Sequence, residues 1–240
     1  MSPATKAVLV DLLRARKLQA DGPPLRGEDR RRARLPTGIP PLDPLLGGGF
    51  PRGQMSEVHG PASSGRTGLA LALAARITRG GALAAWVDPA DRFDPASASA
   101  ASADLSRLLW LRGPREGNDG GLARARFLAD AVAAVGTLLG SGLFEAVFFD
   151  LAGIPAGEVR RLPGTTWIRL QRAVEKTPTA LVLLADVHTA HGPGGISLAL
   201  TPSGPRWSGA PGPGRLLRGL AAQAAAGRVR RAPLELQAFS

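Results

Sequence analysis

The most informative stretch of the sequence is Gly60-Pro61-Ala62-Ser63-Ser64-Gly65-Arg66-Thr67. Two spaced glycines followed by a basic residue and a hydroxyl residue form the pattern of a phosphate-binding loop. In such a loop the glycines let backbone N–H groups converge on phosphate oxygens, and the following helix adds the partial positive charge of its N-terminus. A strand-like segment precedes the stretch and a helix-like segment follows it. The sequence therefore predicts a phosphate loop here.

One position of the pattern is altered. Lysine normally reaches the β- and γ-phosphates from the position that Arg66 occupies, and the hydroxyl at the Thr67 position ligates magnesium. A guanidinium is broader and planar, so it contacts phosphate from a different place than an ammonium does. Two interpretations follow: the loop still binds nucleotide, or it now serves only as an element of the fold.

Around this loop, strand-like and helix-like segments alternate along the chain. This order is typical of an α/β domain with a mostly parallel sheet flanked by helices. The predicted strands are 54–59, 82–88, 105–111, 145–151 and 179–186. The predicted helices are 67–79, 121–139 and 164–176.

The two ends of the chain differ from this middle part. Residues 4–20 have the apolar spacing of an amphipathic helix, and a basic linker follows as far as residue 34. Residues 196–208 surround a turn-rich stretch that predicts a terminal hairpin. After that, 210–240 reads as a basic, flexible C-terminal arm. We thus expect an N-terminal helix and linker at 1–34, a core at 35–209 and an arm at 210–240.

The positive charge is concentrated at these ends. Of the formal net charge of +11, residues 1–34 carry +5, residues 35–205 carry +1 and residues 206–240 carry +5. Such arms suit an anionic partner, either a nucleic-acid backbone or an acidic protein face, although a purely solubilising role also explains them. The candidate contact residues are Arg30, Arg31, Arg32, Arg215, Arg218, Arg228, Arg230 and Arg231.

Composition excludes several classes of protein. The chain is 44% hydrophobic and 20% charged, which is ordinary for a globular domain, and it contains no cysteine. Disulfide scaffolds, thiolate zinc sites and cysteine nucleophiles are therefore excluded. No membrane-spanning or secretory segment is evident, which favours the cytoplasm, with the basic arms allowing association with the nucleoid. His188 and His191 near Asp186 suggest a polar loop rather than a metal site.

Three further strings of residues carry a family resemblance. They are Leu35-Pro36-Thr37-Gly38-Ile39-Pro40-Pro41-Leu42-Asp43, Leu46-Gly47-Gly48-Gly49-Phe50-Pro51-Arg52-Gly53 and Ala84-Ala85-Trp86-Val87-Asp88. Together with the phosphate loop, they resemble the opening of a RecA-type core domain, and the likeness extends over about 34–200. Within that superfamily the chain looks most like the ImuA family of accessory proteins of SOS mutagenesis.

The resemblance implies a nucleotide site that uses ATP with Mg²⁺. Its residues would be Gly60, Ser63, Ser64, Gly65, Arg66 and Thr67, with Asp150 holding the magnesium at the end of the second acidic strand. Three working parts of RecA-type ATPases are altered here, the first being the lysine that Arg66 replaces. Ala90 stands where a glutamate acts on the attacking water, and alanine neither accepts a proton nor orients a water. The glutamine sensor is replaced near Asp186 or His188. The site therefore reads as degenerate, with no confident catalytic residue.

The resemblance also implies partners. We expect a RecA-like scaffold in translesion DNA synthesis that links a RecA-type recombinase and an ImuB-like polymerase-family protein, with DNA contacted through the basic arms. Two alternatives remain at this point: an active DNA-dependent ATPase similar to a recombinase, and an inhibitory regulator of a recombinase. We expect no membrane association.

Overall fold

The computed structural model of the protein describes residues 33–113, 120–190, 194–227 and 230–237, together with Ala7, Val10 and Asp11. Those three residues are helical. The rest of the helix predicted at 4–20, and the linker that precedes residue 33, lie outside the described residues.

The described chain alternates strands and helices, as expected. The strands are β1 (Arg34–Leu35), β2 (Phe50–Pro51), β3 (Met55–His59), β4 (Leu83–Asp88), β5 (Leu108–Arg112), β6 (Phe144–Asp150), β7 (Ala180–Ala185), β8 (Ser197–Ser208), β9 (Leu216–Ala226) and β10 (Arg230–Gln237). The α-helices are α1 (Leu42–Leu45), α2 (Arg66–Arg79), α3 (Pro95–Ala100), α4 (Gly120–Ser141), α5 (Ala156–Val159) and α6 (Thr165–Glu175), and a 3₁₀ turn covers Leu105–Arg107.

Eight of the strands form one sheet in the order β10-β9-β8-β3-β7-β6-β4-β5. The pairs from β8 through to β5 are parallel, whereas β8–β9 and β9–β10 are antiparallel. The predicted α/β fold with a mostly parallel, helix-flanked sheet is thus confirmed. The phosphate-loop strand β3 lies near the middle, so its carboxyl end adjoins that of β7, and β6 follows on the far side of β7.

Helices cover both faces of the sheet, and successive side chains of a strand point to opposite faces, so both sets of side chains are buried. Trp86 and Phe148 belong to the apolar cluster that includes α2, and their chain neighbours Val87 and Phe149 belong to the cluster that includes α4 and α6. All four side chains are fully buried. The near-continuous apolar runs of the central strands are explained by this two-sided burial.

A tight turn between β1 and α1 accounts for the Leu-Pro-Thr-Gly string. The Asp43 carboxylate accepts hydrogen bonds from the Thr37 N–H and hydroxyl, both at 2.7 Å, and from the Gly38 N–H at 3.1 Å. Gly49 adopts a φ of 125°, and a Cβ there would overlap the carbonyl of Leu35. The glycine therefore lets β1 and β2 pair closely.

The expected C-terminal hairpin and flexible arm are wrong. Residues 197–208 form one continuous strand with irregularities after Pro202 and Arg206, not two strands around a turn. Residues 216–226 and 230–237 are the last two strands of the main sheet, so the core does not end at 209. Ala222 and Ala224 of β9 face the core, as do Leu234 and Leu236 of β10. Because β9 consists largely of alanine, its alternation of buried and exposed side chains is not evident in the sequence. The small side chains of β9 give a weak apolar signal but still pack closely.

Gly219 is required by the pairing of β9 with β10. A Cβ at Gly219 would overlap the carbonyl of Leu236 on the paired strand. The glycine thus permits close backbone approach within a sheet, which is one of its regular uses in strands. Among the described residues, no helix has the length and apolar character needed to cross a bilayer.

We predict that Leu234→Ala destabilises the whole domain, because Leu234 is 1% exposed and belongs to the core. The expected loss is roughly 2–4 kcal/mol in the free energy of unfolding, measured by urea denaturation. Leu216→Ala is the matched control, since Leu216 is 56% exposed on the neighbouring strand, and its effect should stay within about 0.5 kcal/mol. Equal effects of the two substitutions would mean that β10 does not form part of the core.

Candidate functional site

The predicted phosphate loop connects β3 to α2. Gly65 precedes the helix with a φ of 92°, a left-handed conformation that favours glycine, and α2 begins at Arg66. Ser64 and Arg66 are buried, whereas Ser63 and Thr67 are exposed. The loop geometry expected of a strand–loop–helix phosphate motif is therefore present.

Both glycines of the loop touch other parts of the sheet. A Cβ at Gly60 would overlap the carbonyl of Leu200 on β8, and a Cβ at Gly65 would overlap a methyl group of Leu236 on β10. The loop is thus packed against β8, which runs parallel to β3, and against β10, which lies in the stretch that was predicted to be a flexible arm. Alanine at position 60 would require the backbone of β8 to move, whereas alanine at position 65 would require the Leu236 side chain to move and would strain the left-handed backbone.

The cation of the loop already has an anionic partner within the chain. The guanidinium of Arg66 forms an ion pair with Asp186, with Nη2 and Oδ1 separated by 2.6 Å. The second carboxylate oxygen of Asp186 accepts the Gly153 N–H at 3.0 Å. Asp186 follows β7, so this one carboxylate connects the phosphate loop, the end of β7 and the loop after β6.

Two polar groups of the loop lack partners. The Ser64 hydroxyl and the Nη1 nitrogen of Arg66 are buried and make no hydrogen bond. Unpartnered donors of this kind fit a phosphate oxygen, whereas the Asp186 carboxylate beside them repels one. The residues therefore fit a nucleotide phosphate only when Asp186 is displaced from Arg66.

Two buried carboxylates lie next to this ion pair, at the ends of β4 and β6. Asp150 accepts the Ala152 N–H at 3.0 Å, which caps the loop after β6. Burial, helped by repulsion from Asp88, raises the pKa of Asp150 to about 7, while the Ala152 N–H and the Arg66 charge oppose the rise. The Trp86 indole N–H also lowers the pKa of Asp150, although the two groups do not have regular hydrogen-bond geometry.

Asp88 is fully buried, and only one of its two carboxylate oxygens accepts hydrogen bonds. One of its oxygens accepts the Phe93 N–H at 2.7 Å and the Trp110 indole N–H at 3.3 Å, and the other has no hydrogen-bond partner. Among the described residues no group of three or more His, Asp or Glu side chains is arranged to hold a metal ion. His191 lies outside the described residues.

The residues after β4 bring no carboxylate to the site. Ala90 occupies the turn after the strand and packs against the apolar cluster. The next residue, Asp91, makes a bidentate ion pair with Arg112, with distances of 2.8 and 2.9 Å. Arg112 also stacks over the Trp110 ring at 4.6 Å. The Asp91 carboxylate is thus paired with an arginine of the edge strand β5.

A second network fixes the loop after β7, and the sequence analysis missed it. Glu57, 3% exposed on β3, accepts the N–H groups of Thr189 and Ala190 and lies 2.5 Å from Nδ1 of His188. Glu57 thus ties His188 and the two backbone N–H groups to β3, which gives His188 a structural role. Burial lowers the pKa of the neighbouring His59.

The candidate contact arginines are only partly described. Arg218, Arg230 and Arg231 lie on β9 and β10, and Arg215 directly precedes β9, all of them exposed. Arg30, Arg31, Arg32 and Arg228 lie outside the described residues. The described members therefore lie on, or directly precede, the last two strands of the sheet, and do not belong to a flexible arm.

The most important contact missed in the sequence was the pairing of two altered positions. Arg66 stands where the family resemblance leads one to expect lysine, Asp186 lies near the expected glutamine, and their charges are opposite. The available signal was their joint occurrence in the loops that follow two predicted strands.

We predict that Asp150→Asn increases stability at pH 8. Because the folded-state pKa is raised from 3.8 to about 7, the wild type loses stability as pH rises between these values. The amide carries no charge and still accepts the Ala152 N–H. The expected gain is on the order of 2–4 kcal/mol at pH 8, shrinking towards pH 4, measured by urea unfolding in EDTA.

The control for this substitution is Asp94→Asn. Hydrogen bonds from Ser97 lower the pKa of the exposed Asp94, so its ionised form is favoured in the folded state and no gain is expected at pH 8. If the difference between Asp150→Asn and wild type does not change with pH, Asp150 does not titrate as described.

Comparisons with known proteins agree with this architecture. The family model of the RecA N-terminal domain matches residues 26–136. Among curated proteins, Protein RecA of Lactobacillus delbrueckii subsp. bulgaricus is 35% identical over 146 residues, which are 60% of this chain and 40% of that protein. Protein RecA of Rubrobacter xylanophilus is 38% identical over 142 residues, or 58% of this chain and 38% of that protein.

A third relative matches over fewer residues but with a higher percentage of identical residues. Protein RecA of Picosynechococcus sp. is 42% identical over 77 residues, which cover 32% of this chain and 22% of that protein. The matches to these three relatives span at most 40% of the relatives' length. The matched residues and the mostly parallel, helix-flanked sheet together support the RecA superfamily for this chain, with a RecA-like core.

Proposed function

We propose that this protein is an accessory scaffold of translesion DNA synthesis, similar to the ImuA family, that links a RecA-type recombinase and an ImuB-like polymerase-family protein. The observation that carries the proposal is the ion pair between Arg66 and Asp186, which neutralises the phosphate loop from within the chain. A loop balanced in this way supports a fold more readily than it supports nucleotide turnover.

The ion pair opposes triphosphate binding for two reasons. The Arg66 side chain is 9% exposed, so separating it from Asp186 leaves a largely buried cation that a phosphate must then compensate. An undisplaced Asp186 would also stand beside the incoming phosphate, and like charges at short distance repel. The nucleotide must therefore compete with a carboxylate that the chain supplies at very high effective concentration.

The site also has no residue at position 90 that could activate water for hydrolysis. Alanine at position 90 does not activate water, and the adjacent Asp91 is held by Arg112. When the loop takes ATP with Mg²⁺, Ser64 and Arg66 would hold the phosphates, and Thr67 and Asp150 would face the ion, which supplies charge neutralisation. Backbone positioning alone gives slow turnover at most.

The exposed arginines of β9 and β10 are consistent with an external binding role. Arg218, Arg230 and Arg231 are all solvent-accessible. Cations on an exposed surface attract an anionic partner at long range and accelerate its association. We propose that these residues, with the basic linker before β1, contact the partner proteins or DNA.

We predict that Asp186→Asn increases the affinity for ATP by at least 10-fold. The amide keeps a hydrogen-bond acceptor for Gly153 but removes the charge that pairs with Arg66. The measurement is isothermal titration calorimetry with ATP and Mg²⁺ on the wild type and the variant.

The matched control is Glu145→Gln, which removes a carboxylate paired with a different arginine, Arg52, at 3.0 Å. Its ATP affinity should equal that of the wild type. If the wild type already binds ATP with micromolar affinity or tighter and Asp186→Asn changes nothing, the ion pair does not close the loop.

We predict that partner capture does not depend on nucleotide. The wild type should pull down the recombinase and the polymerase-family protein equally with and without ATP and Mg²⁺, because its loop is already neutralised. A Thr67→Ala variant, which removes the exposed hydroxyl of the loop, should capture them as well as the wild type does. Strict dependence on ATP, accompanied by DNA-stimulated hydrolysis, would instead favour an active DNA-dependent ATPase.

A further inference from the structure

We propose that the outer end of the β8–β9 pair binds an acidic protein segment rich in leucine or similar apolar side chains. We call this end the ribbon and define it as residues 206–208 and 215–218. The inference rests on the scaffold role proposed above and identifies where one partner is held.

The ribbon extends past the last described residue of β10. Within the part of the chain that the structure describes, pairing between β9 and β10 runs as far as Gly219, which is opposite Gln237. Pairing between β8 and β9 continues beyond that point, with Trp207 opposite Leu217 and Ser208 opposite Leu216. Side chains on both faces of this extension are accessible, since Leu216 on one face and Trp207 and Leu217 on the other are strongly exposed.

Apolar exposure is concentrated on this ribbon. Six large hydrophobic side chains of the described residues are strongly exposed, and three of them are Trp207 at 44%, Leu216 at 56% and Leu217 at 43%. The other three are Leu105, Ile168 and Val187, which lie on separate elements. Clustered apolar exposure bordered by polar groups is characteristic of interaction sites.

Each face of the ribbon combines an arginine with apolar surface. On one face the guanidinium of Arg215 lies 5.3 Å from the centre of the Trp207 ring, next to Leu217. On the other face Arg218 donates from Nε to the Ser208 hydroxyl at 2.7 Å, next to Leu216. These contacts hold the cations beside the leucines, so their side chains are partly ordered before a partner arrives.

The charge of the ribbon determines the sign of the partner. Residues 205–219 contain three arginines and no acidic residue. Arg206 pairs with Glu235 of β10 at 2.9 Å, which leaves Arg215 and Arg218 as the cations towards the tip. An acidic segment complements these charges, and apolar side chains cover Leu216 and Leu217.

The same observations favour a protein over a single-stranded nucleic acid. Nucleic acids are held by stacking of bases on open aromatic rings combined with contacts to phosphates. Trp207 is the one aromatic residue of the ribbon, and Arg215 covers one face of its ring. The leucines give bases no aromatic ring to stack on but are suitable contacts for apolar side chains.

The test uses the full chain labelled with 5-fluorotryptophan, since its four tryptophans give separate ¹⁹F signals. The probe is a 16-residue acetylated peptide that repeats Glu-Leu-Asp-Leu. The expected result is a selective shift of the Trp207 signal, with an affinity at least 10-fold higher than that of the same peptide with serine in place of leucine. Leu216→Ser/Leu217→Ser should weaken peptide binding at least 10-fold.

The control variant is Ile168→Ser, because Ile168 is 45% exposed on α6, away from the ribbon, and its removal should leave peptide binding unchanged. Absence of a Trp207 shift, equal binding of the serine peptide, or a stronger response to an oligodeoxythymidylate of the same length would overturn the proposal. A parallel pull-down of the polymerase-family protein separates the two ideas. Failure of the wild type there contradicts the scaffold role, whereas failure of the peptide alone contradicts the ribbon site.

Discussion

A buried cation in a phosphate loop needs a negative charge, and in this protein Asp186 provides it from within the same chain. The carboxylate pairs with Arg66 and also accepts the Gly153 N–H, so three segments that follow three strands are held together at one point. The arrangement uses the same strand ends that bind nucleotide in an open α/β sheet. The site retains the geometry of a binding site while its charge is balanced internally.

Other contacts reinforce this closed arrangement. Glu57 holds the loop after β7 through two backbone N–H groups and His188, and Leu236 packs on Gly65 from the last strand. These contacts link the two sides of the sheet's carboxyl edge through packing and buried hydrogen bonds, which is consistent with the scaffold role proposed above.

Much of the architecture could be predicted because it depends on local patterns. The phosphate loop was predicted from glycine spacing, and the buried strands β4, β6 and β7 were predicted from their apolar composition. The last two strands were not, since β9 is built largely of alanine and contains Gly219, whose function is close approach to Leu236. The pairing of Arg66 with Asp186 joins residues far apart in the chain, and only the strand order β3–β7 brings them together.

The contact between Leu236 and Gly65 restricts how these positions can change during evolution. A methyl group at position 65 would overlap a terminal methyl group of the leucine, and the left-handed φ of 92° there strains any residue with a Cβ whatever the space. Position 65 therefore stays glycine even when position 236 is shortened. The packed loop thus sets an upper limit on the size of the side chain at position 236, whereas the backbone conformation alone fixes the residue at position 65.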